Sequence, residues 1–280
     1  MELLRPSSVD EAVAVLGRND SRAIAGGTEL VPLMRERLAD AATLVSLRDV
    51  LPRGIADGVI GAGATLAELE VDPTVPAVLR EACAQAASPQ LRNMSTVGGN
   101  LLQATRCWYW RLKFPCRLHG GEVCHARDGE HREHAIFANG FCASAHPSDV
   151  AAALVACNAT LRTDRRELPV AALYRLPTEE DRSTTTLAPD EVIVELRVPE
   201  PDASAYLKAM DRRAWSFALV GVAAARFGAE TRFVLAGVAP VPWVVAGPEA
   251  LEDATPLPGT AYKVQIARAL MQRAAAALAG

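Results

Sequence analysis

The apolar positions of the first fifty residues predict a helix and two strands. A capping box at Ser8 and Glu11 begins a helix whose apolar residues recur at helical spacing, and Gly17 ends it. Apolar, β-branched segments at 22–25 and 43–47 predict strands that flank a glycine turn. This order of elements predicts a small α/β unit at the start of the chain.

The rest of the chain contains regular segments and one long irregular one. Thr65 and Glu68 form a second capping box, and Pro199 and Pro201 mark a boundary between domains. Residues 104–146 look irregular, and loops of this length are usually functional or disordered. The regular segments that we predict are a strand at 59–62, helices at 76–87 and 149–157, strands near 160, at 192–198 and at 233–238, a strand or helix at 219–227, and a terminal helix from Ala261.

Composition and charge exclude several classes of protein. The formal net charge of −4 lacks the basic excess that nucleic-acid-binding proteins show. No apolar run reaches the roughly 20 residues that span a bilayer, and the first residues lack the basic-then-apolar order of a signal peptide. We therefore expect a cytoplasmic chain with no nucleic acid and no membrane as partner. Export as the passenger of a partner subunit stays open.

Two double glycines carry the first candidate chemistry. A pyrophosphate needs backbone N–H groups that approach it closely, which a Cβ obstructs, so glycine pairs are typical of such sites. Either pair alone is also compatible with a simple tight turn. The first segment comprises Ala25, Gly26, Gly27, Thr28, Glu29 and Leu30, and the second comprises Ser95, Thr96, Val97, Gly98, Gly99, Asn100 and Leu101.

The pair of segments predicts a dinucleotide site that differs from the common ones. Each segment is flanked by signals for a strand or a helix, which favours a shared role. The spacing is not the Gly-x-Gly-x-x-Gly of a Rossmann fold, and no Walker A lysine follows. A dinucleotide bound by another fold is the interpretation that remains.

Four cysteines in the irregular segment are the second candidate. Eight, seven and seventeen residues lie between consecutive cysteines, and in a cytosolic chain such a group favours a metal over disulfides. The spacing leaves three alternatives open: a [4Fe–4S] cluster, zinc with help from histidines, or free thiols. The cysteines are Cys107, Cys116, Cys124 and Cys142, and the histidines of the same segment are His119, His125, His131, His134 and His146.

The two glycine segments, read as IAGGTEL and STVGGNLLQ, resemble the flavoprotein subunits of the xanthine dehydrogenase and carbon monoxide dehydrogenase family. The resemblance implies an α+β fold. A two-part FAD-binding domain of the vanillyl-alcohol-oxidase or PCMH type would cover 1–200, with lobes at 1–55 and 56–200, and a small C-terminal α+β domain of the CO-dehydrogenase-flavoprotein type would cover 201–280. Both glycine segments would then wrap the FAD pyrophosphate. Glu29 stands where the family more often has Asp.

The resemblance extends to three further residues. Ser148 and Asp149 lie in AHPSD, similar to the family segment whose Asp contacts the ribityl region of the flavin. They are equally suited to capping the following helix. Lys208 matches a lysine near the isoalloxazine, although a lone lysine is often a solvated surface residue. Because no histidine precedes His119, the FAD is expected to be bound without a covalent histidine link.

The cysteine segment resembles an insertion found in two branches of the family. Most members lack the residues between the second glycine segment and the Asp segment. The periplasmic aldehyde oxidoreductase and 4-hydroxybenzoyl-CoA reductase branches have an insertion there that carries a [4Fe–4S] cluster. The sequence NLLQATRC and the later Cys-x-x-x-His-Pro-Ser-Asp resemble the aldehyde oxidoreductase branch more closely. The resemblance therefore puts the cluster ahead of zinc. Our hypothesis places it near the surface and off the main electron path.

The function that the resemblance implies is electron transfer inside a larger enzyme. A molybdenum-cofactor large subunit would oxidise an aldehyde or N-heterocycle, and a [2Fe–2S] small subunit would pass the electrons to this FAD in a heterotrimer. The FAD would reduce an external acceptor. We find no catalytic residue for substrate chemistry in the chain. The alternatives are a free-standing FAD oxidase with its own substrate and a zinc-stabilised binding module.

Overall fold

The computed structural model describes residues 1–18 and 20–279, which form three β-sheets and nine α-helices. The strands are β1 (Glu2–Leu4), β2 (Ser21–Ile24), β3 (Thr43–Ser46), β4 (Ile55–Ala56), β5 (Val59–Gly61), β6 (Thr160–Thr163), β7 (Glu167–Pro169), β8 (Ile193–Arg197), β9 (Ala203–Met210), β10 (Ala218–Phe227), β11 (Glu230–Ala236) and β12 (Trp243–Val245). The helices are α1 (Val9–Leu16), α2 (Leu30–Arg35), α3 (Leu66–Val71), α4 (Ala77–Gln85), α5 (Pro89–Arg92), α6 (Val97–Leu101), α7 (Trp108–Arg111), α8 (Asp149–Ala156) and α9 (Tyr262–Ala279).

The first sheet is parallel, with strand order β1-β3-β2, as expected for the small α/β unit. Ser8 caps α1 by accepting from the amide of Glu11. The predicted capping box is nevertheless incomplete, because the Glu11 carboxylate accepts from the amide and hydroxyl of Ser7 instead. The three-residue strand β1 was not predicted, since three residues carry too little periodicity to be recognised.

The second sheet has the order β4-β5-β8-β6-β7, and all its pairs are antiparallel. Here the predicted capping box is complete. The Thr65 hydroxyl accepts from the amide of Glu68, and the Glu68 carboxylate accepts from the amide of Thr65. This box begins α3 and sets the direction in which the chain leaves the sheet.

The third sheet is antiparallel, in the order β12-β11-β10-β9, and is covered on both faces. Along β10, Val222 and Ala224 pack with α9, whereas Ala223 and Ala225 join the core shared with α4 and α8. Side chains that alternate between two buried faces show that 219–227 is a strand, because only a strand has that period. On α9, Ala267 and Met271 are fully buried, as its helical spacing predicts.

Helix α8 lies at the centre of the molecule. Every residue from Val150 to Ala156 is almost completely buried, and the helix packs against α4, α6, β10 and β11. Four of its eight residues are alanine, whose small side chain allows neighbouring backbones to approach closely. The N-terminal residue of α8, Asp149, is therefore fixed inside the protein.

Residues 104–146 are largely irregular, as predicted, apart from α7 and a short 3₁₀ turn at Arg117–His119. No helix within the described ranges combines the length and the apolar character needed to cross a membrane.

Candidate functional site

The two glycine segments meet at one cleft. Gly26 lies against the second segment so closely that a Cβ there would overlap the carbonyl oxygen of Met94. The cleft runs from Arg22 along the end of β2 and past the first segment, and Thr96, Gly98 and Gly99 also border it. It adjoins a second cavity, which shares Thr28, Glu29 and Gly99 with it and passes Ser95 and Asn100 to a deep end near Asp149 and Lys208; we treat the two as one cleft. The residues that the sequence singled out for one dinucleotide are therefore neighbours in space.

The first segment presents unpaired backbone donors to this cleft. Strand β2 ends at Ile24, and Gly27 adopts a left-handed backbone with φ of +71°, which glycine tolerates best. The amides of Gly26, Gly27, Thr28 and Glu29 meet no acceptor among the residues that the structure describes. Successive unpaired amides in a turn are the arrangement that forms a concave anion site.

The second segment differs from the prediction. It forms α6, capped by the Thr96 hydroxyl, which accepts from the amide of Gly99. The amides of Val97 and Gly98 donate to the carbonyls of Ala64 and Ala62 at 2.8 and 3.0 Å. The amides of Val97, Gly98 and Gly99 therefore already have acceptors and do not form a second set of free N–H groups. The segment therefore contributes to the cleft mainly by lining it, and only to a smaller extent by donating hydrogen bonds.

The deep end of the cleft contains a buried ion pair. Lys208 Nζ donates to Asp149 Oδ2 at 2.7 Å, and the two side chains are 1% and 4% exposed. The Tyr206 hydroxyl donates to Asp149 Oδ1 at 2.5 Å, and burial beside this carboxylate raises the tyrosine pKa well above its usual value. Lys208 also donates to the carbonyl of Gln85. Lys208 is therefore not a solvated surface lysine.

Ser148 joins the second segment to α8. Its hydroxyl accepts from the amide of Ala151 as the helix cap and donates to Asn100 Oδ1 at 2.6 Å. The capping alternative is therefore correct for Ser148. The same contact fixes the position of Asp149 relative to α6, so the cap also shapes the cleft.

Glu29 links the first segment to the cysteine segment. Its carboxylate accepts from Arg106 Nη2 and Arg111 Nη2, both at 2.6 Å, and it is 17% exposed. Arg111 also lies 3.4 Å from Glu36. The predicted cofactor contact of Glu29 can therefore come only from its backbone amide, because its side chain is committed to the two guanidinium groups.

The four cysteines of the irregular segment line one narrow cavity. Cys107, Cys116, Cys124 and Cys142 converge there from four separate stretches of backbone, and all six cysteines of the chain are free thiols. Burial raises the pKa of the Cys107 thiol to about 12 and that of Cys142 to about 11. Such thiols stay protonated unless a metal displaces the proton.

The histidines of the segment do not complete a site for a single metal ion. Within residues 1–18 and 20–279, no three His, Cys or carboxylate side chains converge closely enough for one ion. His119 stacks on Trp110, His131 accepts from the amide of Gly259, and His146 packs edge-on against Tyr174. This geometry disfavours the zinc alternative.

One histidine does contact a cysteine of the cavity. His134 Nε2 lies 3.2 Å from Cys107 Sγ, and burial lowers the pKa of His134 to about 4. His125, the histidine that follows Cys124, also lines the cavity, but its buried Nε2 has no partner among the described residues. The aromatic residues of α7 also contribute, since Tyr109 and Trp110 line the cavity while Trp108 packs edge-on against His134.

Sequence reasoning missed three residues of this region: Arg106, Arg111 and Tyr206. Their partners Glu29 and Asp149 lie 57 to 82 residues away in sequence, so no local pattern indicates the contact. The one available signal was position, because Arg106 directly precedes Cys107.

Comparison with known proteins places these features in context. A family model described as "FAD binding domain in molybdopterin dehydrogenase" matches residues 1–201. The aldehyde oxidoreductase FAD-binding subunit PaoB of Escherichia coli K12 is 35% identical over 246 residues, covering 81% of this chain and 77% of the relative. The carbon monoxide dehydrogenase medium chain of Afipia carboxidovorans is 40% identical over 106 residues, covering 34% of this chain and 37% of its own length.

Two solved structures share the fold over nearly the whole chain. A carbon monoxide dehydrogenase from Hydrogenophaga pseudoflava has a TM-score of 0.72 at 24% identity and covers 99% of this chain and 96% of its own. Quinoline 2-oxidoreductase from Pseudomonas putida 86 has a TM-score of 0.71 at 23% identity, with the same coverage. The fold class predicted from the sequence is confirmed.

Proposed function

Because the chain belongs to the family of FAD-binding domains of molybdopterin dehydrogenases and is an FAD-dependent oxidoreductase subunit, we propose that it transfers electrons within a multisubunit molybdenum hydroxylase. It would receive them from [2Fe–2S] clusters in a small partner subunit and pass them to an external acceptor. A molybdenum-containing large subunit would oxidise the aldehyde or N-heterocycle. The observation that carries the proposal is the single cleft that joins unpaired amides at one end to the buried Asp149–Lys208 pair at the other.

In this proposal the pyrophosphate lies against the amides of Gly26 to Leu30, and the flavin ring lies near Lys208. Gly26 has no Cβ, so its backbone and that of the second segment can close around the phosphates from two sides. The hydrogen bond to Asp149 fixes the position of the Lys208 ammonium group in the cleft. The hydrogen bond between Ser148 and Asn100 in turn fixes the start of α8, where Asp149 lies.

When bound, FAD supplies a carrier that accepts electrons singly and delivers them one or two at a time. The chain's own residues bind and orient the group. The buried ion pair fixes a donor at the deep end, and Trp215 and Phe217 border the same end of the cleft. The fixed polar groups need little rearrangement when charge develops, which is the usual contribution of a protein to such a step.

We further propose that Cys107, Cys116, Cys124 and Cys142 hold a [4Fe–4S] cluster, which requires four thiolates. A single zinc ion draws its sulfur ligands to roughly 2.3 Å from one centre, whereas a four-iron cluster occupies the space between them. Four cysteines around a cavity without a single-ion geometry support the larger group. Cys107 directly follows Arg106, which borders the cleft, so the cluster would lie beside the flavin site.

The absorption spectrum of the anaerobically purified full chain tests both cofactors. We expect flavin bands, a broad iron–sulfur shoulder and about four iron atoms per chain. Cys116→Ser should lose the iron while keeping the flavin, and Cys83→Ala, a buried cysteine of α4 outside the cavity, should keep both. Colourless protein would overturn the proposal, and flavin bands without iron would overturn its cluster.

Partner assignment needs the assembled enzyme. We expect the chain to co-purify with two other subunits, and its flavin to be reduced when an aldehyde or N-heterocycle is added to the complex. Flavin reduction by a substrate in the isolated chain would favour the free-standing oxidase instead. Turnover of a Cys116→Ser complex that retains flavin tests whether the cluster lies on the route of electrons to the flavin. Unchanged electron transfer to the flavin would show that it lies off this route, and loss of that transfer would show that it lies on it.

A further inference from the structure

Arg106 occupies an unusual position between the two proposed cofactor sites. Its side chain borders the deep end of the cleft together with Asp149 and Lys208, and it also borders a small cavity with Cys107 and His134. The guanidinium group is held on three sides. Nη2 donates to Glu29 at 2.6 Å and to Gln103 at 2.9 Å, and the group lies over the Phe217 ring, 4.7 Å from its centroid.

The charge of Arg106 is only partly compensated. Lys208 has Asp149 as its own partner, and Arg111 has Glu36 in addition to Glu29. Within the described part of the chain, Arg106 forms an ion pair only with Glu29, which it shares with Arg111, and its buried Nε donates to no acceptor there. A negative charge arriving in the cleft would therefore be stabilised by this guanidinium.

We propose that Arg106 raises the redox potential of the bound flavin by holding this partly compensated positive charge at the deep end of the cleft. The inference rests on the proposed function. Two electrons from the partner's clusters and one proton convert neutral oxidised flavin into a reduced flavin with one negative charge, and an external acceptor later removes the electrons. A fixed nearby cation stabilises the anionic form more than the neutral one. Arg106 is thus a positioning and tuning residue, distinct from Lys208.

The test uses the full chain purified with the subunits that accompany it. Flavin content is measured first, because a wild-type protein without flavin overturns the proposed function and this inference with it. The flavin midpoint potential and the dissociation constant for sulfite are then compared among variants. Sulfite is a useful probe because its sulfur lone pair forms a bond to N5 of oxidised flavin and leaves a negative charge on the ring.

Arg106→Met should shift the equilibrium toward oxidised flavin by about tenfold, or about 30 mV for a two-electron couple, and weaken sulfite binding by about the same factor. Arg106→Lys should restore most of both values. Arg111→Met, the matched control, removes a cation that does not border the cleft, and because it leaves more of Glu29 to Arg106 it should move both values in the same direction but far less. Similar shifts for Arg111→Met and Arg106→Met would overturn the inference, because they would implicate the Glu29 network as a whole.

Glu29→Gln supplies a test of opposite sign that does not depend on Arg106→Met folding. Removing the carboxylate leaves the Arg106 charge less compensated, so the potential should rise and sulfite should bind more tightly. An unchanged or lower potential in Glu29→Gln with full flavin content would overturn the inference, and so would an unchanged potential in a flavin-replete Arg106→Met protein.

Discussion

The two double glycines look alike in sequence but differ in structure. At Gly26 and Gly27 the chain leaves a strand in an open turn whose amides remain unpaired. At Gly98 and Gly99 it enters the first turn of α6, where the amides donate to Ala62, Ala64 or the Thr96 hydroxyl. A phosphate can use only donors that the protein leaves free, so we assign binding to the first segment and positioning to the second.

The same comparison explains why both segments contain glycine. Gly26 is required by a close approach to the Met94 carbonyl, and Gly98 by contact with Ala62, where a Cβ would come within 3.0 Å of that alanine's Cβ. In each case glycine lets one piece of backbone pack on another. Only at Gly27 does the positive φ itself favour glycine.

The strongest test of the comparison is Gly26→Ala. The new Cβ would overlap backbone that cannot rotate away, so we expect bound FAD to be lost and the free energy of unfolding to fall by about 4 kcal/mol or more. FAD per chain and thermal unfolding measure this. Gly54→Ala is the matched control, since no atom lies within 4 Å of its added Cβ. A Gly26→Ala protein with normal flavin content would contradict the assignment.

Asp149→Asn tests whether the second segment acts through the residues that it positions. The substitution leaves the Lys208 charge buried without a carboxylate, which costs roughly 3–5 kcal/mol. We expect a lower unfolding temperature together with weaker FAD binding. Asp149→Asn combined with Lys208→Met removes the unpaired charge and should recover stability without recovering FAD affinity. Full recovery of both would show that the pair serves the fold alone.

Much of this arrangement follows from local sequence. The caps at Ser8, Thr65 and Ser148 begin their helices where predicted because each needs contacts only three residues away. The low helix propensity of glycine favours a turn at the second segment. Thr96, a residue type that often caps helices, was the local signal for the helix that the structure has there. Here packing against Ala62 and Ala64 outweighs propensity.

The sequence does not predict which distant residues contact Glu29 and Asp149. Glu29 bonds to guanidinium groups more than 75 residues away, and Tyr206 reaches Asp149 across 57 residues. Such contacts depend on how the sheets and α8 pack together, and no spacing rule encodes them. The convergence of the four cysteines is likewise a property of the folded segment.

Acid should destabilise the protein through His146, which lies beside the contact between Ser148 and the second segment. Burial lowers the pKa of His146 from 6.5 to about 3, and its Nδ1 accepts from the amide of Ser148, the residue bonded to Asn100. The unfolded chain takes up a proton below pH 6.5 while the folded chain resists it. Stability is therefore full above pH 6.5 and falls toward pH 3, by roughly 1.4 kcal/mol per pH unit at most.

Unfolding of wild type and His146→Phe between pH 7 and pH 4 isolates this effect. The variant keeps an aromatic ring against Tyr174 but cannot titrate, so its stability should depend less steeply on pH. Identical slopes for the two proteins would remove His146 as the cause.

The smallest expected effect comes from Gly99→Ala, the counterpart of Gly26→Ala. Alanine favours a helix by roughly 1 kcal/mol over glycine, whereas the added Cβ would lie 2.9 Å from the Thr96 hydroxyl and would have to displace that cap slightly. These opposed contributions should leave the free energy of unfolding within about 1 kcal/mol of wild type, with FAD retained, as measured by denaturant unfolding and flavin absorbance. Loss of flavin from a stable Gly99→Ala protein would show that the second segment also binds through its backbone, and the distinction between a binding segment and a positioning segment would fail.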